Sequence, residues 1–302
     1  MTIAITGGTG FVGRALVELA LAGGLAVQAL TRTRQEKRER LEWIKGDLDN
    51  THALGRLVEQ AEAVIHVAGL VNAPDAEAFE RCNVAGTMNV IEAAIAAGVP
   101  RLVFVSSLSA REPELSAYGA SKLRAEKLVR ASGLDWTIVR PPAVYGPRDD
   151  GMFELFRAAR WGVVPTPKHG KLSVIHVDDL ARLLLALLPG SEAVTHRSFE
   201  PDDGKRGGWD HYELARAIGW AMGRRPYVLG LSRRALDFAA RIDMALRKGK
   251  AKLTLDRASY FSHPDWVAGS EAAAPEAVWR PRIETREGLK ATAQWYREQG
   301  WL

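Results

Sequence analysis

The sequence has little cysteine and no long apolar run. Cys82 is the single cysteine among the 302 residues, which excludes an internal disulfide and agrees with a reducing compartment. No apolar run approaches the roughly 18 residues that a membrane-spanning helix needs. The first apolar strand pattern begins at Thr2, which leaves no room for a signal peptide before it. These absences favour a cytoplasmic protein.

The chain also lacks a strong charge of either sign. Its formal net charge is +5, and no nucleic-acid-binding motif accompanies the basic residues. Apolar residues make up 47% of the chain and charged residues 25%, which is ordinary for a globular protein. We therefore expect no nucleic acid among its partners.

A glycine-rich turn stands close to the start of the chain. Residues 3–13 predict an apolar strand, a turn and the beginning of a helix, with glycines at Gly7, Gly10 and Gly13. The first glycine permits a tight turn, the second a close approach to a pyrophosphate, and the third close packing of helix on strand. The helix N-terminus then offers N–H groups to the phosphates. In this context the pattern predicts a dinucleotide site rather than a purely structural turn.

The second predicted strand, residues 26–30, ends without the acidic residue that would bind the 2′-hydroxyl of an adenosine ribose. Thr31 stands there instead, and Arg32 and Arg34 follow. Guanidinium groups can hold a phosphate with paired donors, so the sequence favours NADP(H) over NAD(H). The alternative is a solvated basic loop, because the basic run continues beyond these residues.

Strands and helices alternate through the first half of the chain. Apolar strand patterns cover residues 63–68 and 101–105, and a helical pattern opens at Asn83 and ends at Gly98. Alternation at this spacing predicts an α/β fold of the Rossmann type, a doubly wound parallel sheet of right-handed βαβ units.

Candidate catalytic residues follow the strand at 101–105. Ser106 and Ser107 stand at its carboxyl end, where open α/β sheets hold their ligands. Tyr118 and Lys122 are four residues apart, which places them on one face of a helix. Because a nearby ammonium favours the ionised phenol, such a tyrosine can exchange a proton with a substrate oxygen. A serine hydroxyl can hold the same oxygen.

At these residues the sequence resembles the short-chain dehydrogenase/reductase superfamily, in its extended branch of NAD(P)-dependent epimerases, dehydratases and reductases. Matching motifs occur in the family's order along nearly the whole chain. They are Thr6–Gly13, Asp47–Leu48, Asn83–Thr87, Ser106–Ser107, Tyr118–Lys122, Arg140–Pro147, Ile175–Leu180 and an ending from Trp279 to Arg297.

The resemblance implies a role for each matching residue. Tyr118 would be the general acid/base, Lys122 would bind the nicotinamide ribose, and Ser107, or alternatively Ser109, would orient the substrate. Asn83 matches a position tied to the proton relay and to helix geometry, with a plain helix start as the alternative. The expected cofactor contacts are Thr6, Gly7, Gly10, Phe11, Val12, Gly13, Arg32, Arg34, Asp47, Leu48, Ala68, Gly69, Ser106, Tyr118, Lys122, Pro141 and Val144.

A histidine and two aspartates lie close together in the motif at 175–180. In isolation His176, Asp178 and Asp179 look like a metal or acid cluster. In the superfamily that this chain resembles, the stretch ties the cofactor domain to the substrate domain. No metal is therefore expected.

One segment departs from the nucleotide-sugar members of the extended branch. Only ten residues, 108–117, separate Ser107 from Tyr118. Those members carry a longer insertion with a Val-Tyr-Gly segment that shapes the sugar site. The short segment is more similar to members that act on lipid, steroid-type or flavonoid-type ketones. It also resembles the NADPH-binding accessory subunit of respiratory complex I, a largely structural relative.

The pattern changes in the second half of the chain. We expect a Rossmann domain over residues 1–190, with 150–172 contributing to the substrate side, and a small, mostly helical substrate-binding domain over 191–302. An amphipathic helix is predicted at 152–161 and a Pro/Gly-rich loop at 162–171.

The segment from Leu231 to Lys252 combines an apolar repeat with many basic residues. The apolar residues are Leu231, Ala235, Phe238, Ile242 and Leu246, and the basic ones are Arg233, Arg234, Arg241, Arg247, Lys248, Lys250 and Lys252. Such a helix can lie on an anionic membrane, here in peripheral contact with the inner face. The alternative is a cap helix that buries its apolar stripe.

Together these features predict an NADP(H)-dependent oxidoreductase that reduces a ketone by hydride transfer at a Ser-Tyr-Lys site. The favoured small-molecule substrate is a hydrophobic 3-keto lipid, such as a 3-ketoceramide or 3-ketosphingoid. Two alternatives stay open: a nucleotide-sugar epimerase or dehydratase with tightly bound NAD, and a non-catalytic NADPH-binding assembly subunit. Both a monomer and a homodimer agree with the sequence.

Overall fold

The structure of the protein is a computed structural model that describes residues 1–247 and 251–302. Over these residues the strands are β1 Thr2–Thr6, β2 Ala26–Thr31, β3 Leu41–Lys45, β4 Ala63–His66, β5 Arg101–Val105, β6 Asp135–Val139, β7 Ala143–Tyr145, β8 Val163–Pro167, β9 Lys171–Leu172, β10 Val174–His176, β11 Arg197–Phe199, β12 Trp209–Asp210, β13 Tyr227–Leu231 and β14 Asp265–Trp266. The α-helices are α1 Phe11–Ala22, α2 Thr51–Val58, α3 Ala76–Phe79, α4 Gly86–Ala96, α5 Ala117–Ala131, α6 Phe153–Arg160, α7 Val177–Ala186, α8 His211–Ala221, α9 Arg233–Arg247, α10 Leu255–Phe261 and α11 Thr285–Glu298.

The chain divides into two compact units, each made of several segments. Unit 1 comprises Met1–Pro141, Leu180–Glu200 and Ala272–Arg280, and unit 2 comprises Pro142–Asp179, Pro201–Glu271 and Pro281–Leu302. This division differs from the single boundary expected at residue 190. Local composition does not show where the chain passes from one unit to the other. A strand such as β11 belongs to unit 1 because it pairs with β6, which is distant in sequence.

Unit 1 is built on a seven-stranded parallel sheet with the order β11-β6-β5-β4-β1-β2-β3. The strand order reverses between β1 and β4, which is the switch point where open α/β sheets bind ligands. Every residue of β4 and β5 is buried, as central strands covered on both faces require. The Rossmann-type fold predicted from the alternating pattern is confirmed.

A helical stretch over residues 76–96 differs from the sequence prediction. Helix α3 begins at Ala76, capped by the Asp75 carboxylate, which accepts the N–H of Ala78 at 2.8 Å. A π-helical turn follows at Glu80–Ala85 and leads into α4. The prediction that the helix opens at Asn83 was therefore wrong, because the cap lies eight residues earlier and Asn83 lies inside the π-helical turn.

Unit 2 surrounds a core formed by α6, α8 and α11 and carries three small sheets. Its buried residues include Phe156, Leu214, Ile218, Leu289 and Tyr296. The sheets pair β10 with β7, the central strand β9 with both β12 and β14, and β13 with β8. Among the residues that the structure describes, no helix is both long and apolar enough to cross a membrane.

The loop expected at 162–171 is in fact largely strand. Strand β8 covers Val163–Pro167 and pairs in parallel with β13. Its two prolines suggested a loop because proline cannot donate a ladder hydrogen bond. A strand with one partner tolerates proline on its open side, which is why the prediction was wrong.

Candidate functional site

The glycine turn between β1 and α1 has the geometry that the sequence predicted. Gly7 has φ +74°, and its carbonyl accepts the N–H of Gly10 at 2.9 Å. A Cβ on Gly7 would lie 2.7 Å from the backbone nitrogen of Ala68, and a Cβ on Gly13 would collide with the Gly7 carbonyl oxygen. Because the turn packs so closely against the loop after β4 and against the start of α1, only glycine fits at both positions.

The start of α1 suits an anionic ligand. Gly10 is the N-cap residue and offers no side-chain acceptor, and the first helical turn contains no acidic residue. Phe11 and Val12 begin the helix and are half-buried. The N–H groups of this turn therefore lack a side-chain cap, and the helix dipole favours negative charge there. These features fit the diphosphate of a dinucleotide.

The end of β2 carries exposed arginines. Thr31 is buried and its hydroxyl donates to the carbonyl of Thr33 at 2.7 Å, which closes the turn. Arg32 and Arg34 are exposed, and neither has an ion pair among the described residues. Arg38, farther along the same basic run, is held by Glu18 at 2.9 Å. Of these three arginines, Arg38 is therefore paired, and Arg32 and Arg34 are available to a ligand.

Asp47 and Leu48, expected near an adenine, have different surroundings. Asp47 is exposed, and its carboxylate accepts the N–H of Asp49 at 3.1 Å. Leu48 is buried in the core, where its side chain closely approaches Gly86. Asp47 is thus the residue of the pair whose side chain can meet a ligand.

The end of β4 is organised by a buried histidine. His66 Nδ1 lies 2.6 Å from the Thr6 hydroxyl and Nε2 lies 3.0 Å from the Thr87 hydroxyl. The Thr6 hydroxyl also accepts the N–H of Ala68 at 3.2 Å. His66 is therefore a structural histidine with both ring nitrogens hydrogen-bonded, and Thr6 links it to the loop after β4.

This histidine makes stability depend on pH. Burial lowers the pKa of His66 from 6.5 to about 3. Because the unfolded chain takes up a proton below about pH 6.5 and the folded chain does not, the free energy of unfolding falls as the pH drops through that range. Each pH unit in the window costs up to about 1.4 kcal/mol. We expect His66→Gln to reduce this acid sensitivity, measured by urea unfolding at about pH 7 and about pH 5.

The glutamine variant is expected to be less stable than the wild type at about pH 7, since it cannot contact both hydroxyls as the histidine does. The diagnostic quantity is the difference between the two pH values. An equal difference in wild type and variant would show that His66 does not carry the effect.

The side-chain amide of Asn83 makes hydrogen bonds within the protein. Its Oδ1 accepts the N–H of Leu70 at 2.7 Å, and its Nδ2 donates to the Leu70 carbonyl at 3.0 Å and to the Ser121 hydroxyl at 2.9 Å. The Ser121 hydroxyl donates to the carbonyl of Tyr118 at 2.7 Å. Asn83 thereby joins the loop after β4 to the first turn of α5.

Tyr118 and Lys122 lie in the first two turns of α5. Both are buried, with 7% and 4% of their surface exposed. Lys122 Nζ donates to the carbonyl of Val105, the last residue of β5, at 3.0 Å. A Cβ on Gly69 would lie 3.0 Å from Lys122 Nζ and 3.1 Å from Asn83 Oδ1. Lys122 therefore sits at the carboxyl ends of β4 and β5.

Burial also tunes Lys122. The pKa of its ammonium falls from 10.5 to about 8, because burial penalises the charged form. Nearby Cys82 and Glu126 act in the opposite direction. The side chain thus remains mainly protonated at neutral pH. A small further drop in its pKa would bring its titration to neutral pH.

Ser107 and Ser109 form one hydroxyl pair. Ser109 Oγ donates to Ser107 Oγ at 2.9 Å, and the Ser109 N–H points to the same oxygen at 3.2 Å. Ser107 caps a short 3₁₀ turn over Leu108–Arg111. A Cβ on Gly119 would lie 2.5 Å from the Ser109 carbonyl, so this turn packs directly against the start of α5.

Ser106 belongs to a buried charge network that sequence reasoning missed. Its hydroxyl donates to Glu126 at 2.6 Å, and Glu126 accepts two hydrogen bonds from Arg140, at 2.8 and 2.7 Å. Burial alone raises the pKa of Glu126, but Arg140 outweighs it and the pKa is lowered. Glu200 also lies 3.4 Å from Arg140. The spacing Lys122 to Glu126, one helical turn, was the available signal.

The remaining expected residues lie in different units. Pro141 is buried in unit 1, where its carbonyl accepts the N–H of Leu108 at 3.0 Å. Val144 is half-buried on β7 in unit 2. In the same unit, Asp179 accepts the N–H groups of Arg282 and Ile283, both at 3.1 Å. No group of three or more metal-ligating side chains occurs within residues 1–247 and 251–302.

Comparison with known proteins assigns the family. Residues 3–199 match the model of the NAD dependent epimerase/dehydratase family. The chain belongs to this family. It is an NAD(P)-dependent enzyme of the extended short-chain dehydrogenase/reductase superfamily, as its motifs indicated.

Relatives of two reaction types share the full length of the chain. Ceramide reductase of Caulobacter vibrioides is 38% identical over 310 residues, covering 99% of this chain and 96% of that protein. UDP-glucose 4-epimerase of Vibrio cholerae is 26% identical over 325 residues, covering 97% and 94%. The solved structure of MoeE5 in complex with UDP-glucose and NAD has a TM-score of 0.78 at 25% identity and covers 99% of both chains.

Proposed function

We propose that the protein is an NADP(H)-dependent reductase that converts a ketone to an alcohol. The substrate we assign is a hydrophobic 3-keto lipid, such as a 3-ketoceramide or 3-ketosphingoid. The observation that carries this proposal is the similarity to a ceramide reductase over 99% of the chain. The grouping of Ser107, which follows β5, with Tyr118 and Lys122 on α5 supplies the chemistry in this proposal.

Each of these three side chains has a distinct task in the proposal. Tyr118 gives its phenolic proton to the carbonyl oxygen of the substrate as that oxygen gains charge. Lys122, charged at neutral pH, favours the phenolate that remains and holds the nicotinamide ribose. Ser107, paired with Ser109, donates a hydrogen bond to the same substrate oxygen and fixes its position.

The glycine turn supplies the cofactor site. The close approaches at Gly7 and Gly13 and the uncapped start of α1 fit a dinucleotide. When bound, the reduced nicotinamide supplies the hydride that the protein itself lacks. The chain contributes binding, orientation and the proton.

We assign Arg32 and Arg34 to the 2′-phosphate of NADPH. Replacing both with alanine is expected to weaken NADPH binding by at least about thirtyfold, since each removes a charge-assisted hydrogen bond, and to leave NADH binding nearly unchanged. Isothermal titration with each nucleotide measures the two affinities. Arg38→Ala is the matched control, because Glu18 holds that arginine. Equal losses for NADPH and NADH would refute the assignment.

A nucleotide-sugar epimerase is the second candidate, favoured by the likeness to MoeE5 and to UDP-glucose 4-epimerase. The short segment between Ser107 and Tyr118 opposes it. That segment consists of two compact 3₁₀ turns, Leu108–Arg111 and Pro113–Leu115, which leave no length for a sugar-binding insertion. Mass spectrometry of the nucleotide that copurifies with the protein separates the candidates. Tightly retained NAD together with turnover of a UDP-sugar would contradict the reductase proposal.

A long-chain keto-lipid resides in a membrane, so the enzyme has to reach one. We propose that it works at an inner membrane face in peripheral contact through residues 231–252. Lys248 and Lys250, which the sequence included in this basic segment, lie outside the described residues.

A further inference from the structure

Helix α9 packs on unit 2 by a face that the sequence did not indicate. Its buried residues are Leu236 and Ala240, which join Ala258 of α10 in a small apolar cluster with Leu231 and Leu253 packed against it. The sequence had assigned the apolar stripe to Phe238, Ile242 and Leu246 together with Leu231 and Ala235. The helix instead turns most of that stripe away from its cluster.

The stripe that the cluster leaves uncovered is strongly exposed. Phe238, Ile242 and Leu246 show 66%, 44% and 79% of their surface. They are spaced four residues apart, so they form one row along the helix. Single exposed apolar residues are common on proteins, whereas an aligned row of three large ones indicates a binding surface.

The arginines of α9 fall into two classes. Arg233 pairs with Asp237 and Arg247 pairs with Asp243, each at 3.1 Å. Arg234 and Arg241 are exposed and have no ion pair among the described residues.

The two unpaired arginines are seven residues, or about two turns, apart, and by helical geometry both lie along the same side of the apolar row. Ion pairs with aspartates thus balance the charge of the arginines that lie away from the apolar row. The arginines beside the row have no such partner among the described residues.

We propose that this outer face of α9, formed by Phe238, Ile242, Leu246, Arg234 and Arg241, docks on an anionic lipid surface. The apolar row enters the boundary between headgroups and acyl chains, and the two guanidinium groups bind lipid phosphates. A second copy of the chain is a poorer occupant, because a two-fold contact along this face sets unpaired arginines against each other. The proposal rests on the membrane contact proposed above and assigns that contact to one face of α9, and it does not depend on the identity of the substrate.

Vesicle flotation tests this surface. The full chain is mixed with vesicles of phosphatidylcholine alone or of phosphatidylcholine with phosphatidylglycerol, at low and at high salt. We expect binding to the anionic vesicles, weakened by salt, and little binding to phosphatidylcholine alone. Absence of binding to the anionic vesicles at low salt would overturn the proposal.

Two pairs of variants separate the apolar and charged contributions. Phe238→Ser with Leu246→Ser is expected to reduce vesicle affinity by at least about tenfold. Ile95→Ser, which removes an exposed apolar residue from α4, serves as its control and should bind as the wild type does. Arg234→Gln with Arg241→Gln should lose roughly thirtyfold. Arg233→Gln with Arg247→Gln removes the same formal charge from ion pairs and should lose less than about threefold.

Thermal melting establishes that each variant is folded, and NADPH reduction of a water-soluble ketone reports the catalytic site separately. Equal vesicle binding by wild type and the Phe238/Leu246 variant would overturn the proposal. So would a dimer in sedimentation equilibrium that this variant dissociates, since the face would then be an interface between copies. Failure of vesicle binding with intact ketone reduction would remove the proposed membrane contact and leave the proposed reductase activity standing.

Discussion

Replacing Tyr118 with phenylalanine is expected to lower kcat by at least about a hundredfold, the usual contribution of a positioned general acid. Dinucleotide affinity should fall far less than kcat, because in the proposed mechanism the phenol gives its proton to the substrate and the ring remains packed against Phe79, with centroids 5.8 Å apart. Steady-state reduction of a ketone by NADPH measures kcat, and isothermal titration measures the affinity. A loss in kcat without a loss in cofactor binding would identify a proton donor.

Tyr227→Phe is the matched control for this variant. It removes a phenol hydroxyl from an exposed position on β13 and should leave kcat unchanged. If Tyr118→Phe left the cellular function of the protein unchanged, the protein would fit the non-catalytic, NADPH-binding assembly subunit instead.

Substituting alanine for Gly13 is expected to weaken dinucleotide binding by more than about a hundredfold. The added Cβ would collide with the carbonyl oxygen of Gly7, so the turn would have to open. An opened turn moves the N–H groups at the start of α1 away from the diphosphate. Isothermal titration with NADPH and with NADH should show equal losses, since both nucleotides share the diphosphate.

Gly55→Ala provides the control for this substitution. Gly55 lies in α2 with no atom within 4 Å of an added Cβ. Alanine there should keep cofactor affinity and raise stability by roughly 0.5–1 kcal/mol, because alanine favours helix. If Gly13→Ala melts below the assay temperature, Gly10→Ala, whose Cβ would lie 3.3 Å from the same oxygen, is the milder test. Normal binding by a folded Gly13→Ala protein would contradict the glycine-turn account.

Local patterns identified most of unit 1 correctly. The turn at Gly7 and Gly13 and the strand ending at Val105 depend on short-range sequence. Each carries a signal in its own residues, such as glycine spacing or an apolar run. The parallel sheet followed because such units combine in few ways.

Features that depend on tertiary packing were missed. The cap of α3 at Asp75 lies before the helical sequence pattern that opens at Asn83. Strand β8 forms by pairing with β13, which is distant in sequence. The buried side of α9 is set by α10, which contributes Ala258. Glu126 on α5 and Arg140 after β6 form an ion pair because the fold brings these two elements together, and no local sequence pattern predicts that contact. These are tertiary effects, which override local propensity.

The central claim is that the chain consumes NADPH to reduce a hydrophobic 3-keto lipid. The most direct measurement follows NADPH oxidation and the 3-hydroxy product together, with a 3-ketosphingoid or 3-ketoceramide as substrate and a UDP-sugar as comparison. The account predicts equimolar NADPH loss and alcohol formation with the keto-lipid, and none with the UDP-sugar. Interconversion of the UDP-sugar without net consumption of nucleotide, and no reaction of the keto-lipid, would contradict it.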